Sequence, residues 1–422
     1  YVIADTNADG LLSFVGGPSV VTVANAANTG TVSAVISGVG FTKAGAGVLC
    51  LTANNTFTGV VRVAAGILRL TTTNNALTTL GAGGTGNGTV VEDGATLDAN
   101  SAWLSSGMSE DVTISGSGVG GIGALVNLGP VDCAGRGPHS LTLAGDATVG
   151  GTKRFDFSSF VGNGHKLTKA GSMEMAILGA VNGSPIEINA GNYVYQAEGA
   201  LGGTTAGNTT VNGGKLVIWG SYTIPERIVF NGGSIGQGWS SVAGKMATMT
   251  GNMTLNSNIV VSSATSSADG IEFSGLVDGL GGLSLSAGVH AFTCDSNSFS
   301  GPTTVGSGSY LWVGKTNLYS GVLGSGTVTN KGTLYGCSSL IAKGSIVNSG
   351  TLNSYTGLLC FGSVENGGTL YFDRKDALIL TNAFSGTGSI CLRYGPSVTF
   401  SGNASTNGTL TIGTGSLSLT NN

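Results

Sequence analysis

Apolar residues in this chain recur in short alternations of two or three, each cut off by a glycine. Between Ile36 and Leu70, the pairs Leu49 and Leu51, Val61 and Val63, then Ile67 (or Leu68) and Leu70 fall on one buried strand face. Gly38, Gly40, Gly45, Gly47, Gly59 and Gly66 stand between the runs, where the backbone turns and glycine accepts positive φ cheaply. Strands this short cannot hold themselves together, so the pattern predicts a unit stacked on copies of itself. No long segment shows a 3.6-residue period with caps, which leaves helix little place.

Degraded copies of the stretch recur. LTKAG (167–171) echoes FTKAG (41–45), and a third copy starts at Phe273 and a fourth at Phe384. The pattern divides the chain into N-terminal strands or a cap (1–35) and modules at 36–160, 161–272, 273–383 and 384–422, all read as one continuous solenoid. The sharpest period lies at GTVTNKGTLY (326–335), GSIVNSGTLN (344–353) and GSVENGGTLY (362–371), which repeat every 18 residues without a gap. Rungs one strand spacing apart, about 4.8 Å, require such a repeat. Val328, Ile346 and Val364 then form one buried column, and Leu334, Leu352 and Leu370 another. Asn330, Asn348 and Asn366 are expected to form an asparagine ladder, and Gly332, Gly350 and Gly368 to adopt a left-handed turn conformation. With about 18 to 22 residues per rung, the chain predicts an all-β solenoid, a parallel β-helix, of about 19–23 rungs.

Composition sharpens this. Glycine is 75 of 422 residues without a three-residue period, which excludes collagen, and hydrophobic residues at 41% argue against disorder. Charged residues are only 9%, with a net charge of −4, so there is no basic face for nucleic acid. No apolar run is long enough for a membrane-spanning helix. The chain starts at Tyr1 and looks like a mature or excised segment. Its six cysteines are scattered without a CxxC, which leaves buried free thiols and disulfides both open.

Candidate chemistry is sparse. Asp5, Asn7 and Asp9, with Gly10 at the sharp turn, match the first part of a calcium loop; Gly16 stands where a bidentate acid belongs, and an Asx-type turn is the bland reading. Calcium is the one cofactor the residues raise. Glu92-Asp93 and Glu110-Asp111 are adjacent acids, which point to opposite faces of a strand and make no natural catalytic pair. His139, His165 and His290 are isolated, and Asp373-Arg374-Lys375-Asp376 reads as a solvated loop of self-paired charges. Trp219, Trp239 and Trp312 with Tyr193, Tyr195, Tyr222 and Tyr310 either fill wide rungs or make an aromatic surface for sugars. Lys43, Arg62 and Arg69 read as solvent-facing decoration.

The opening stretch resembles the autotransporter-associated β-strand repeat at Ser37-Gly38, Phe41-Thr42-Lys43, Gly45-Ala46-Gly47, Leu49, Leu51, Asn55 to Gly59, Val63 and Gly66. The third copy matches at Phe273-Ser274-Gly275, Asn297 to Gly301 and Thr303-Thr304-Val305. The resemblance implies a right-handed parallel β-helix, displayed extracellularly or on the outer surface of a bacterial cell; the repeat carries no catalytic residues to transfer. The expectation is a non-catalytic structural solenoid whose copies associate end to end into a filament. An adhesin binding surface glycans or a host or matrix partner is the first alternative, and a polysaccharide-degrading β-helix or phage tailspike the second.

Overall fold

The structure, a computed structural model, describes residues 2–4, 10–17, 19–70, 80–81, 86–102, 110–135, 137–181, 183–203, 209–238, 246–263, 269–315, 320–405 and 407–419. Among them there is no α-helix, only short strands and one 3-10 turn at Val119–Gly121. No helix is long and apolar enough to cross a membrane. The strands stack as a β-solenoid of about 18 coils. This is slightly under expectation because some coils exceed 22 residues: Met253 aligns with Val277, and Thr303 with Val328. The chain forms two compact units, Tyr1–Lys215 and Leu216–Asn422.

In the first unit, Phe41–Ala44, Val61–Val63, Thr89–Val91, Asp111–Gly116 and Ser140–Gly151 pair in succession, all in parallel. A second series runs through Val48–Leu51, Gly66–Leu70, Ala95–Asp98 and Leu125–Asn127. Alternate residues point inward, so Val63, Val91, Ile114 and Leu143 line up as an aliphatic column. Each such side chain contributes about 1.5–3 kcal/mol by leaving water.

The second unit shows the regular coils most plainly. One of them contributes Ile346–Asn348, Thr351–Ser354 and Leu358–Cys360 to three parallel sheets. Val328 pairs with Ile346 and Ile346 with Val364, while Leu334, Leu352 and Leu370 form the column of the next sheet. All six are buried. Parallel register of this kind excludes a hairpin-built sandwich for these strands.

The glycines of these coils correct one expectation. Gly332, Gly350 and Gly368 are not at positive φ. Their reason is room: a Cβ on Gly350 would overlap the carbonyl oxygen of Gly332, and one on Gly368 that of Gly350. In the opening stretch both causes operate. Gly45 and Gly66 have φ of 77° and 67°, whereas Gly40 and Gly47 have none to explain and lie against the backbone of Val60 and Asn25.

The two causes separate experimentally. Gly350→Asn is expected to destabilise by about 1–3 kcal/mol, since overlap with backbone cannot relax. Gly94→Asn is expected to stay within about 0.5 kcal/mol, because Gly94 has φ 79° in open space and asparagine tolerates that region. Urea unfolding of both variants checks this; equal losses would refute the steric account.

Candidate functional site

The described residues that stand out chemically sit at the corners of the coils, where the chain leaves one sheet for the next. Asn330, Asn348 and Asn366 end successive strands and are buried. Asn330 Nδ2 donates to Asn348 Oδ1 at 2.7 Å, and Asn348 Nδ2 to Asn366 Oδ1 at 2.7 Å. The same amides also donate to the carbonyls of Thr351 (2.8 Å), Thr369 (3.3 Å) and Ser389 (3.1 Å). Each carboxamide therefore seals a corner and ties its coil to the next. The series stops at one side because Val305 occupies the column there, leaving Asn330 Oδ1 buried without a donor.

Lys43 is not solvent-facing decoration. It is fully buried, in register between Val21 and Val63 in an otherwise aliphatic column. Its Nζ donates to the carbonyls of Ala44 (3.1 Å), Gly45 (2.7 Å) and Ala65 (2.8 Å), the last in the following coil. Lys169 repeats this: buried between Val149 and Ile188, it donates to Ala170 (3.2 Å), Gly171 (2.9 Å) and Ala190 (2.7 Å). An ammonium has three donors, and each corner presents three carbonyls. Burial lowers Lys43 to about 8 and Lys169 to about 7, from an ordinary 10.5. Arg69 is also more than decoration, since it pairs with the buried Asp98 at 2.8 Å; Arg62 pairs with Glu92 at the surface.

Two asparagines clip another corner of their coils, Asn55 between Val48–Leu51 and Val61–Val63 and Asn297 between Gly288–Phe292 and Thr303–Val305. Asn55 Oδ1 accepts from the Ile36 amide at 2.8 Å, and Asn297 Oδ1 from the Val277 amide at 2.8 Å. Phe57 and Phe299, two residues on, are fully buried.

The isolated histidines and acids are scattered. His290 is buried as the neutral tautomer, with Nε2 donating to Ala287 O at 2.8 Å and Nδ1 accepting from Ile271 N at 3.3 Å. Glu110 is buried, accepts from Thr89 Oγ1 at 2.6 Å and is pushed up to about 8 by burial, while adjacent Asp111 faces out to His139 at 3.0 Å. His165 lies 3.9 Å from Asp146. Among the described residues no three His, Cys, Asp or Glu side chains gather to hold a metal. Asp5, Asn7 and Asp9 lie outside the described residues, as does Trp239. None of the six cysteines forms a disulfide, and burial pushes Cys337 and Cys360 up to about 11.

The aromatics divide. Tyr193 and Tyr195 are core residues, whereas Trp312 stacks on Tyr335 with centroids 4.1 Å apart, and Tyr355 continues the stack 6.4 Å from Tyr335. The 373–376 loop departs from a solvated reading at Arg374, which is buried and donates to Gly357 O at 2.8 Å and to both Asp376 oxygens. Asp373 is held by Arg393, whose guanidinium lies 3.8 Å over the Tyr371 ring. Tyr335 and Tyr371 share one position of the 18-residue repeat, whereas Arg393 escapes a sequence reading because it follows Asp373 by 20 residues, outside that period.

Residues 41–70 match the model of the passenger-associated-transport-repeat. The chain carries a passenger-type repeat. No curated protein and no solved structure was found to match the chain. The matched segment contains the lysine cap at Lys43 and the clip at Asn55; Lys169 and Asn297 repeat these devices outside it.

Asn348→Ala removes two ladder bonds and leaves Asn366 Oδ1 buried without its donor, for an expected loss of about 2–4 kcal/mol. Val347→Thr, half-buried on the same strand, is the control, expected within about 0.5 kcal/mol. A Lys169 effect reads out with pH. Below about 7 both folded and unfolded chains hold the proton; between about 7 and 10.5 the unfolded chain holds more, so stability rises with pH. The urea midpoint of the wild type is expected to climb across that range relative to Lys169→Met. Parallel profiles would mean that the three carbonyls keep the ammonium charged.

Proposed function

We propose that the chain is a non-catalytic structural solenoid of the bacterial cell surface or extracellular matrix, whose copies associate end to end. The observation that carries this reading is where the buried polar groups go. The asparagine ladder, both lysine caps and both asparagine clips join one coil to the next. The buried carboxylate of Asp98 is likewise held by Arg69 and the Leu128 amide of neighbouring coils, and that of Asp156 by Arg154 of its own coil and the Ala176 amide of the next. Catalysis needs acids free to exchange protons with a ligand, and these are committed.

The passenger-type repeat supports an extracellular location. The end-to-end association draws on the strand Leu410–Ile412, which pairs with Ser389–Arg393, while Leu410 and Ile412 remain 47% exposed. A coil of a second copy stacked on this strand would bury both side chains.

Negative-stain electron microscopy of the protein at rising concentration tests the association, with rods lengthening in multiples of one chain as the expected result. Single particles of constant length would refute it. Reducing-end and unsaturated-product assays over a panel of polysaccharides test the other half; turnover of any of them would overturn the non-catalytic reading.

A further inference from the structure

A cleft of about 390 Å³ opens in the second unit, lined by Tyr355, Asp373, Arg374, Lys375, Asp376 and Tyr394 among others. Its size is that of a small-ligand pocket. Its composition sets it apart from the rest of the surface, where charges are sparse and aromatics mostly stack on one another. Aromatic rings, carboxylates and cations converge here within one indentation.

Tyr394 is the unusual member. Its φ is 69°, followed by Gly395 at 85°, a pair of left-handed residues in which asparagine or glycine is the unstrained choice for the first position. Tyrosine stands there instead, with its side chain unburied: the residue is 65% exposed. The turn is held from both sides by the paired strands Ser389–Arg393 and Ser397–Phe400. A strained backbone that carries an exposed ring to the mouth of a cleft gains nothing for the fold. Such strain concentrates at ligand-contacting positions.

The charges define the ligand. Asp376 is matched by Arg374, at 2.9 and 2.6 Å, and Asp373 by Arg393, at 2.5 and 2.6 Å. The Asp376 side chain stays 62% exposed and keeps lone pairs that accept hydroxyl donors, whereas that of Asp373 is buried against Arg393. Lys375 is exposed and has no ion-pair partner among the described residues, so the cleft keeps one unmatched positive charge. A ligand with an apolar face for the Tyr394 ring, a hydroxyl for Asp376 and a carboxylate for Lys375 is an acidic sugar.

We propose that this cleft binds a uronic-acid-type carbohydrate, with Tyr394 as the stacking platform and Lys375 as the carboxylate contact. The proposal goes beyond the structural reading and is independent of whether copies stack.

Isothermal titration of the full chain with trigalacturonate and with neutral maltotriose, at low ionic strength, tests it. The acidic trimer is expected to bind about tenfold more tightly. Tyr394→Gly relieves the backbone strain, so its unfolding midpoint is expected to stay level or rise while affinity falls about tenfold. Lys375→Gln is expected to bring the two sugars to within about threefold of each other. No binding of either sugar, or binding unchanged in Tyr394→Gly, would overturn the site. Equal binding of both sugars by the wild type would overturn the acidic class.

Discussion

Parallel coils about 4.8 Å apart impose one constraint on nearly every residue of this chain: it must be compatible with whatever occupies the same position one coil away. Aliphatic side chains meet this by packing in columns, as Val328, Ile346 and Val364 do. Asparagine meets it because its carboxamide donates upward and accepts downward, so a column of identical residues is self-complementary. Aromatic rings meet it by stacking, as Trp312 does on Tyr335. Where the corner of one coil descends onto the backbone of the next, no side chain fits at all, and the column is glycine. The steric origin of Gly332, Gly350 and Gly368 follows from the same spacing.

Corners raise a second problem. Many carbonyls and amides at the corners pair with the backbone of the neighbouring coil, as Ser349 N does with Asn330 O, and side chains satisfy others that are buried there. The chain solves this with different residues according to what each corner presents. Three carbonyls call for an ammonium, at Lys43 and Lys169. An orphan amide calls for a carboxamide oxygen, at Asn55 and Asn297. One carbonyl and one amide call for a neutral imidazole, at His290. These are the polar residues that a passive reading assigns to solvent.

The stack was legible in the sequence because in-register repetition is its direct signature, and the columns through Val328 and Leu334 could be named from an 18-residue period alone. The lysine caps were not, since lysine is rarely buried and the prior favours the surface. A signal existed: Phe41 and Lys43 share strand parity, as do Leu167 and Lys169, so each lysine lies on the inward face in both copies. The cleft at Tyr394 was half visible. The charges of 373–376 are conspicuous and Tyr355 lies one 18-residue period before Asp373, but Tyr394 reaches them through a coil of different length and a turn geometry that local sequence does not encode.

The same constraint accounts for the low charge of the chain. Two like charges one coil apart repel by about 1 kcal/mol in water and by about 3–4 kcal/mol at an effective dielectric constant of 20. A repeated charged residue is therefore penalised at every coil, unlike a repeated valine or asparagine. Charges survive where the neighbouring coil supplies the opposite sign in register: Arg69 faces Asp98, and Asp373 faces Arg393. They also survive where an aliphatic neighbour isolates them, as Val21 and Val63 isolate Lys43. A composition of 9% charged residues is thus what stacking leaves, and by itself it says little about partners. What does bear on partners is departure from the rule. At the cleft, Arg393 of the neighbouring coil neutralises Asp373 and Arg374 neutralises Asp376, while Lys375 stands exposed beside them without an ion-pair partner among the described residues.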